Sequence, residues 1–122
     1  MPKVPNKYRG KPEYGLAYSA LIAVAHSRGM LTYEGIAHLT GLPERGATMA
    51  KLVGHLVGEI SEDEVKRRRP MLSALAVEKN TGEPGDGFFK LAAKLKQFKG
   101  KSETEKKKFV AKEKRKLYEI WK

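Results

Sequence analysis

Three observations predict a mainly helical domain with a small β element and a separate, densely charged C-terminal helix. Apolar residues recur at helical spacing in several segments, and glycine and proline punctuate those segments at short intervals. A single short apolar run, Met71–Glu78 (MLSALAVE), has the length and flanks of a buried strand, with helix as the alternative. At 122 residues the chain has room for one modest core.

Met1–Pro12 (MPKVPNKYRGKP) holds three prolines, a glycine and four basic residues, which predicts an extended basic arm over residues 1–12. From Glu13 to Arg28, Tyr14, Ala17, Leu21, Val24 and Arg28 follow the helical period, and Gly29 supplies a stop. Thr32 is a suitable N-cap for the next helix, with Glu34 in its first turn and Ile36, Ala37 and Leu39 on its apolar side. Gly41-Leu42-Pro43 breaks that helix, because glycine admits a left-handed turn and proline cannot continue the hydrogen bonding. A third helix begins within Pro43–Ala47, carries Met49, Leu52, Val53, Leu56 and Val57 on its apolar side, and ends near Gly58.

Ser61–Arg69 (SEDEVKRRR) is polar and changes sign midway, and Pro70 closes it. Lys79–Gly87 (KNTGEPGDG) is a loop by composition. Phe88, Leu91, Ala92, Leu95 and Phe98 restore the helical period, so residues 13–100 read as one domain. Ser102 with Glu105 forms a capping-box signature that opens a final helix, part of a charged segment 101–122.

The formal net charge of +11 favours a polyanionic partner. It is unevenly placed: residues 1–60 carry 7 basic and 4 acidic side chains, residues 61–122 carry 18 and 10. Without cysteine there are no disulfides and no thiolate metal sites, which fits a reducing cytoplasm, beside the nucleoid in a bacterium. Leu16–Ala25, the most apolar stretch, is too short to span a membrane. It contains Tyr18 and Ser19 and lacks a small-x-small cleavage pattern, so it reads as a buried helix and not as a leader.

A helix-turn-helix unit needs a small residue at the helix crossing, a glycine in the turn and apolar residues that lock the second helix. Ala37, Gly41, and Leu52 with Val53 fill those roles, and the following strand and loop extend the pattern to a winged-helix-like domain. The third helix then presents Arg45, Thr48, Lys51 and His55 on its polar side. Its first N–H groups suit a phosphate, and a bidentate arginine–guanine pair would discriminate by ~1–3 kcal/mol. Arg67, Arg68 and Arg69 form a second cationic cluster, either on backbone phosphates or neutralised by Glu62, Asp63 and Glu64. Lys7 and Arg9 place two further charges on the arm.

These residues predict a non-catalytic protein that binds double-stranded DNA. RNA is the alternative partner, favoured by the lysine-rich stretch Lys106–Lys116, and a protein partner is a third, held by Leu117, Ile120 and Trp121 unless these cap the core. His26, His38 and His55 lie on separate helices without ligand spacing, and Glu64-Val65-Lys66 lacks the acidic partner of a nuclease. The sequence therefore predicts no catalytic residue, metal, cofactor or membrane contact.

The order TYEGIAHLTG (Thr32–Gly41), AKLVGHLVG (Ala50–Gly58) and PMLSALAVEKNTGEPGDGF (Pro70–Phe88) resembles the winged-helix DNA-binding domain of alkylguanine DNA alkyltransferases and alkyltransferase-like proteins. The resemblance implies that Tyr33 contacts the phosphate of the target nucleotide and that Lys51 stands where an arginine fills the gap left by a flipped base. It also puts Ser73 near the alkyl-accepting cysteine, followed by Ala74 and Leu75 in place of histidine and arginine. A serine without an adjacent base is a poor acceptor, so the resemblance implies DNA-binding architecture without alkyl transfer.

Overall fold

The computed structural model describes residues 6–122, and Met1–Pro5 of the expected arm lie outside the described residues. Among the described residues, five α-helices accompany a two-stranded parallel sheet with two residues in each strand: α1 Pro12–His26, β1 Leu31–Thr32, α2 Tyr33–Thr40, α3 Gly46–Lys66, β2 Ala76–Val77, α4 Asp86–Lys94 and α5 Glu103–Ile120. The fold is thus mainly helical with a small β element.

Local chemistry accounts for the ends of most helices. Pro12 opens α1, where its missing N–H costs nothing. The Thr32 hydroxyl accepts the Gly35 N–H at the start of α2. Gly41, at φ 77°, ends α2 in the left-handed region, and the Leu42 N–H closes onto the Ala37 carbonyl. Ser102 and Glu105 form the reciprocal capping box of α5. Arg28, Arg68 and Lys96 each hold a left-handed φ near 60° just past a helix, where glycine is usual. A cation there meets the negative end of the helix dipole, which offsets part of the strain.

Two expectations need correction. The third helix does not end near Gly58 but runs 21 residues to Lys66, taking in the polar stretch through Lys66. Gly58 instead lies buried within the helix facing α4, where a Cβ would meet the Leu91 side chain at 3.5 Å, an ordinary contact. The expected strand over Met71–Glu78 shrinks to Ala76–Val77, preceded by the 3-10 helix Leu72–Leu75. Its partner is β1, in parallel register Leu31↔Ala76 and Thr32↔Val77. A parallel pair needs a long crossover, which α2 and α3 supply. The described elements include no antiparallel hairpin that would form a wing.

The core joins Ala17, Leu21 and Ala25 of α1, Ile36 and Ala37 of α2, and Val53, Leu56 and Ile60 of α3 around the wholly buried segment 71–77. Phe88, Phe89, Phe98 and Phe109 form an aromatic cluster that fastens α4 to the start of α5, with Phe98 and Phe109 stacked at 4.8 Å. No described helix is long and apolar enough to cross a membrane.

The extension of α3 buries three carboxylates, Glu59, Glu62 and Glu64. Residues 7–9, expected as an extended arm, are fastened to the first of them. The Glu59 carboxylate accepts the N–H groups of Lys7 at 3.2 Å, Tyr8 at 2.9 Å and Arg9 at 3.0 Å. The Arg9 guanidinium reaches Glu62 at 2.6 Å and Asp63 at 3.1 Å. At the other side, Arg69 grips both oxygens of Glu64, at 2.9 and 2.7 Å, while the Tyr18 hydroxyl donates to the same group.

Glu59→Gln replaces an acceptor-only group by one carrying its own donors, and should lower stability by about 2–3 kcal/mol in urea unfolding. Hydrogen exchange at the Tyr8 amide should accelerate in the same variant. Burial pushes the Asp63 carboxyl up, but hydrogen bonds from Arg9 and Tyr14 outweigh it and hold the group below its ordinary value. Its contribution is therefore present above the unfolded value of about 3.9 and disappears as pH falls through the lower folded value. Asp63→Asn should lose about 1–2 kcal/mol at neutral pH and show a shallower loss of stability below about pH 4.

Candidate nucleic-acid interface

Helices α2 and α3 meet at the Gly41 turn, and α3 starts from an extended Arg45 with Gly46 in the left-handed region. No side chain caps this end and no carboxylate lies in the first turn. Its opening N–H groups are thus available to an external acceptor. Arg45, Thr48 and Lys51 are all exposed and follow one another at three-residue spacing along one side. Neither Arg45 nor Lys51 forms an ion pair among the described residues. Between Gly46 and Gly58 the helix carries no acidic residue, while Glu59, Glu62, Asp63 and Glu64 crowd its other half. The positive end of the helix dipole and the unpaired cations coincide.

Other residues expected beside these three have different employment. His55 is partly buried: Nε2 lies 3.3 Å from Glu59 and its ring meets Tyr8 edge-on at 6.2 Å. It belongs to the clamp on residues 7–9. Arg9 is spent on Glu62 and Asp63, and Arg69 on Glu64 and the face of Trp121, 5.5 Å away. Arg67 is exposed yet stands 3.4 Å from Glu64. Neutralisation by the adjacent acids, the alternative for this cluster, therefore describes Arg67 and Arg69, whereas Arg68 is exposed and unpaired among the described residues. Lys7 is exposed. The cluster is also remote, since Lys51 and Lys66 are separated by about 22 Å of helix.

Tyr33 stands at the first turn of α2, partly buried, and its hydroxyl accepts the Gly85 N–H at 3.2 Å. Burial pushes its hydroxyl pKa up, with Glu78 adding to the rise and the Gly85 bond opposing it. It lines a cleft of about 350 Å3 between the starts of α2 and α3 and the loop after β2, together with Glu34, Met49, Glu78 and Lys79. One carboxylate oxygen of Glu34 is buried there without a hydrogen-bond partner. By position alone Glu34 serves only the helix dipole, and nothing in the sequence marks Lys79 beyond its glycine-rich loop.

Ser73 is 4% exposed and bonded to Ser61, whose hydroxyl lies 2.6 Å from its own and accepts its N–H at 2.9 Å. No base reaches it in this network. The adjoining void, bordered by Tyr33, Gly58 and Phe88, measures only about 30 Å3, roughly the volume of one water. Among the described residues no three His, Asp or Glu side chains converge as metal ligands would.

No family model matches the chain, and neither the comparison with curated proteins nor that with solved structures finds a match.

Removing the Tyr33 hydroxyl leaves the Gly85 N–H without its acceptor. Tyr33→Phe should cost about 1 kcal/mol in thermal or urea unfolding and accelerate hydrogen exchange at Gly85, with little change at Gly35 in the neighbouring cap.

Proposed function

We propose that this protein binds double-stranded DNA without catalysis, setting the start of α3 against the duplex. Arg45 and Lys51 meet phosphates or base edges, and Thr48 with the opening N–H groups of α3 adds neutral donors. The observation that carries this reading is the charge polarity of α3, with exposed unpaired cations at one end and its carboxylates buried and paired at the other. Gly46, Ala47 and Ala50 are exposed beside them and let a backbone approach closely. Tyr33 and Lys79 stand across the adjoining cleft, which Glu34 and Glu78 also line, so the main contacts stay with Arg45, Thr48 and Lys51. A cytoplasmic setting, with access to DNA, accompanies this reading.

The reading leaves Arg9, Arg69 and His55 out of the contact set, because their partners are already inside the protein. It predicts fewer phosphate contacts than the net charge of +11 suggests. Binding to a labelled duplex should weaken with salt along a straight log–log line of slope about −2 to −5. Arg45→Ala with Lys51→Ala should reduce affinity about tenfold or more while leaving stability within about 0.5 kcal/mol of the parent. Unchanged duplex affinity in the double variant, or tighter binding to structured RNA at equal salt, would remove this assignment.

A further inference from the structure

A groove of about 960 Å3 lies between the end of α3 and the last turns of α5, far from the start of α3. Val65, Pro70 and Ile120 give it an apolar lining, and Arg68 and Arg115 give it positive charge, while its carboxylates Glu113 and Glu119 are paired with Lys116 and Lys122. Ile120 is 47% exposed although Leu117, one turn earlier, is fully buried. Leu117 and Trp121, expected with Ile120 on a partner-binding stripe, belong instead to the core or its margin. Arg68 and Arg115 are exposed and form no ion pair among the described residues. The turn after α3 holds Arg68 in place through the bonds Arg68 N–H to Val65 O and Arg69 N–H to Glu64 O, both 2.9 Å.

An apolar contact flanked by two unpaired guanidinium groups matches a chain that carries carboxylates around an apolar side chain. Guanidinium groups bind carboxylates bidentately. We propose that this groove docks an acidic segment of another protein, with carboxylates on Arg68 and Arg115 and an apolar side chain against Ile120. A second copy of this chain is a poor occupant: its acidic run lies in α3, where Glu59, Glu62 and Glu64 are buried. Met1–Pro5 carry no acidic residue either. A nucleic acid fits less well, because its backbone offers no apolar side chain to cover Ile120. The proposal is independent of the DNA reading, since no residue is shared.

The test is fluorescence anisotropy on the full chain with a fluorescein-labelled peptide of aspartate and glutamate carrying two leucines one helical turn apart. The leucine peptide should bind more tightly than the same peptide with serines in their place. Ile120→Asp, and separately Arg68→Glu with Arg115→Glu, should each weaken it about tenfold or more. These side chains are exposed, so the melting temperature serves as a check that the variants fold. Arg45→Ala with Lys51→Ala should leave peptide binding unchanged, which separates this groove from the start of α3. Quenching of Trp121, the single tryptophan, provides a label-free measurement because Arg69 lies over its ring and lines the groove. Equal affinity for the serine peptide, or undiminished binding by Ile120→Asp, would overturn the proposal. So would a duplex that displaces the peptide and itself depends on Arg68 and Arg115.

Discussion

Burying three carboxylates on one helix is costly, since each loses hydration worth several kcal/mol unless hydrogen bonds and opposite charges surround it. The second half of α3 meets that requirement with partners drawn from across the chain. Backbone N–H groups of residues 7–9 converge on Glu59, and Arg69 and Tyr18 converge on Glu64. Arg9 adds its side chain to Glu62 and Asp63. The buried Glu113 of α5 acts in the same way, accepting the Met71 N–H where the chain leaves α3 for the core. The entry to α1, the exit of α3 and α5 are thereby held in place by groups that cannot move without stranding a charge.

That arrangement also decides where the positive charge is available. Several cations that raise the formal total are consumed internally, while those at the start of α3 and along much of α5 are not. The protein is better described as having two separate cationic surfaces than one. One is small-residue-rich and lies at the positive end of a helix dipole, properties that suit close approach by a phosphate backbone. The other alternates guanidinium groups with exposed apolar area, properties that suit a peptide.

The attachment of α4 and α5 rests on aromatic packing more than on charge. Phe88, Phe89, Phe98 and Phe109 pack in series through edge-on, tilted and stacked contacts, and Lys106 lies over Phe89 at 5.3 Å. Gly100 permits the chain to turn beside them, because a Cβ there would fall 2.7 Å from the Phe98 ring. The lysine-rich helix is therefore an integral part of the fold, docked through Val110 and Leu117, with its exposed lysines facing water.

Local sequence determined the helices and most of their ends. Thr32, Gly41 and the Ser102–Glu105 pair act through neighbours a few residues away, so their roles follow from spacing alone. The same holds for the exposure of Lys51, which lies opposite the apolar positions Met49, Val53 and Leu56, while Arg45 is exposed because it stands at the N-cap. Tertiary structure decided the rest. Gly58 passes for a helix stop until Leu91 is seen to pack against it, and β2 has no visible partner until the crossover returns it to Leu31. Arg9, Arg69 and His55 have the composition of a binding surface, but their use depends on carboxylates whose burial no periodicity reveals. A charge is free or spent according to what lies within a few ångströms of it in space, and for Arg9 those groups are some 50 residues away in sequence.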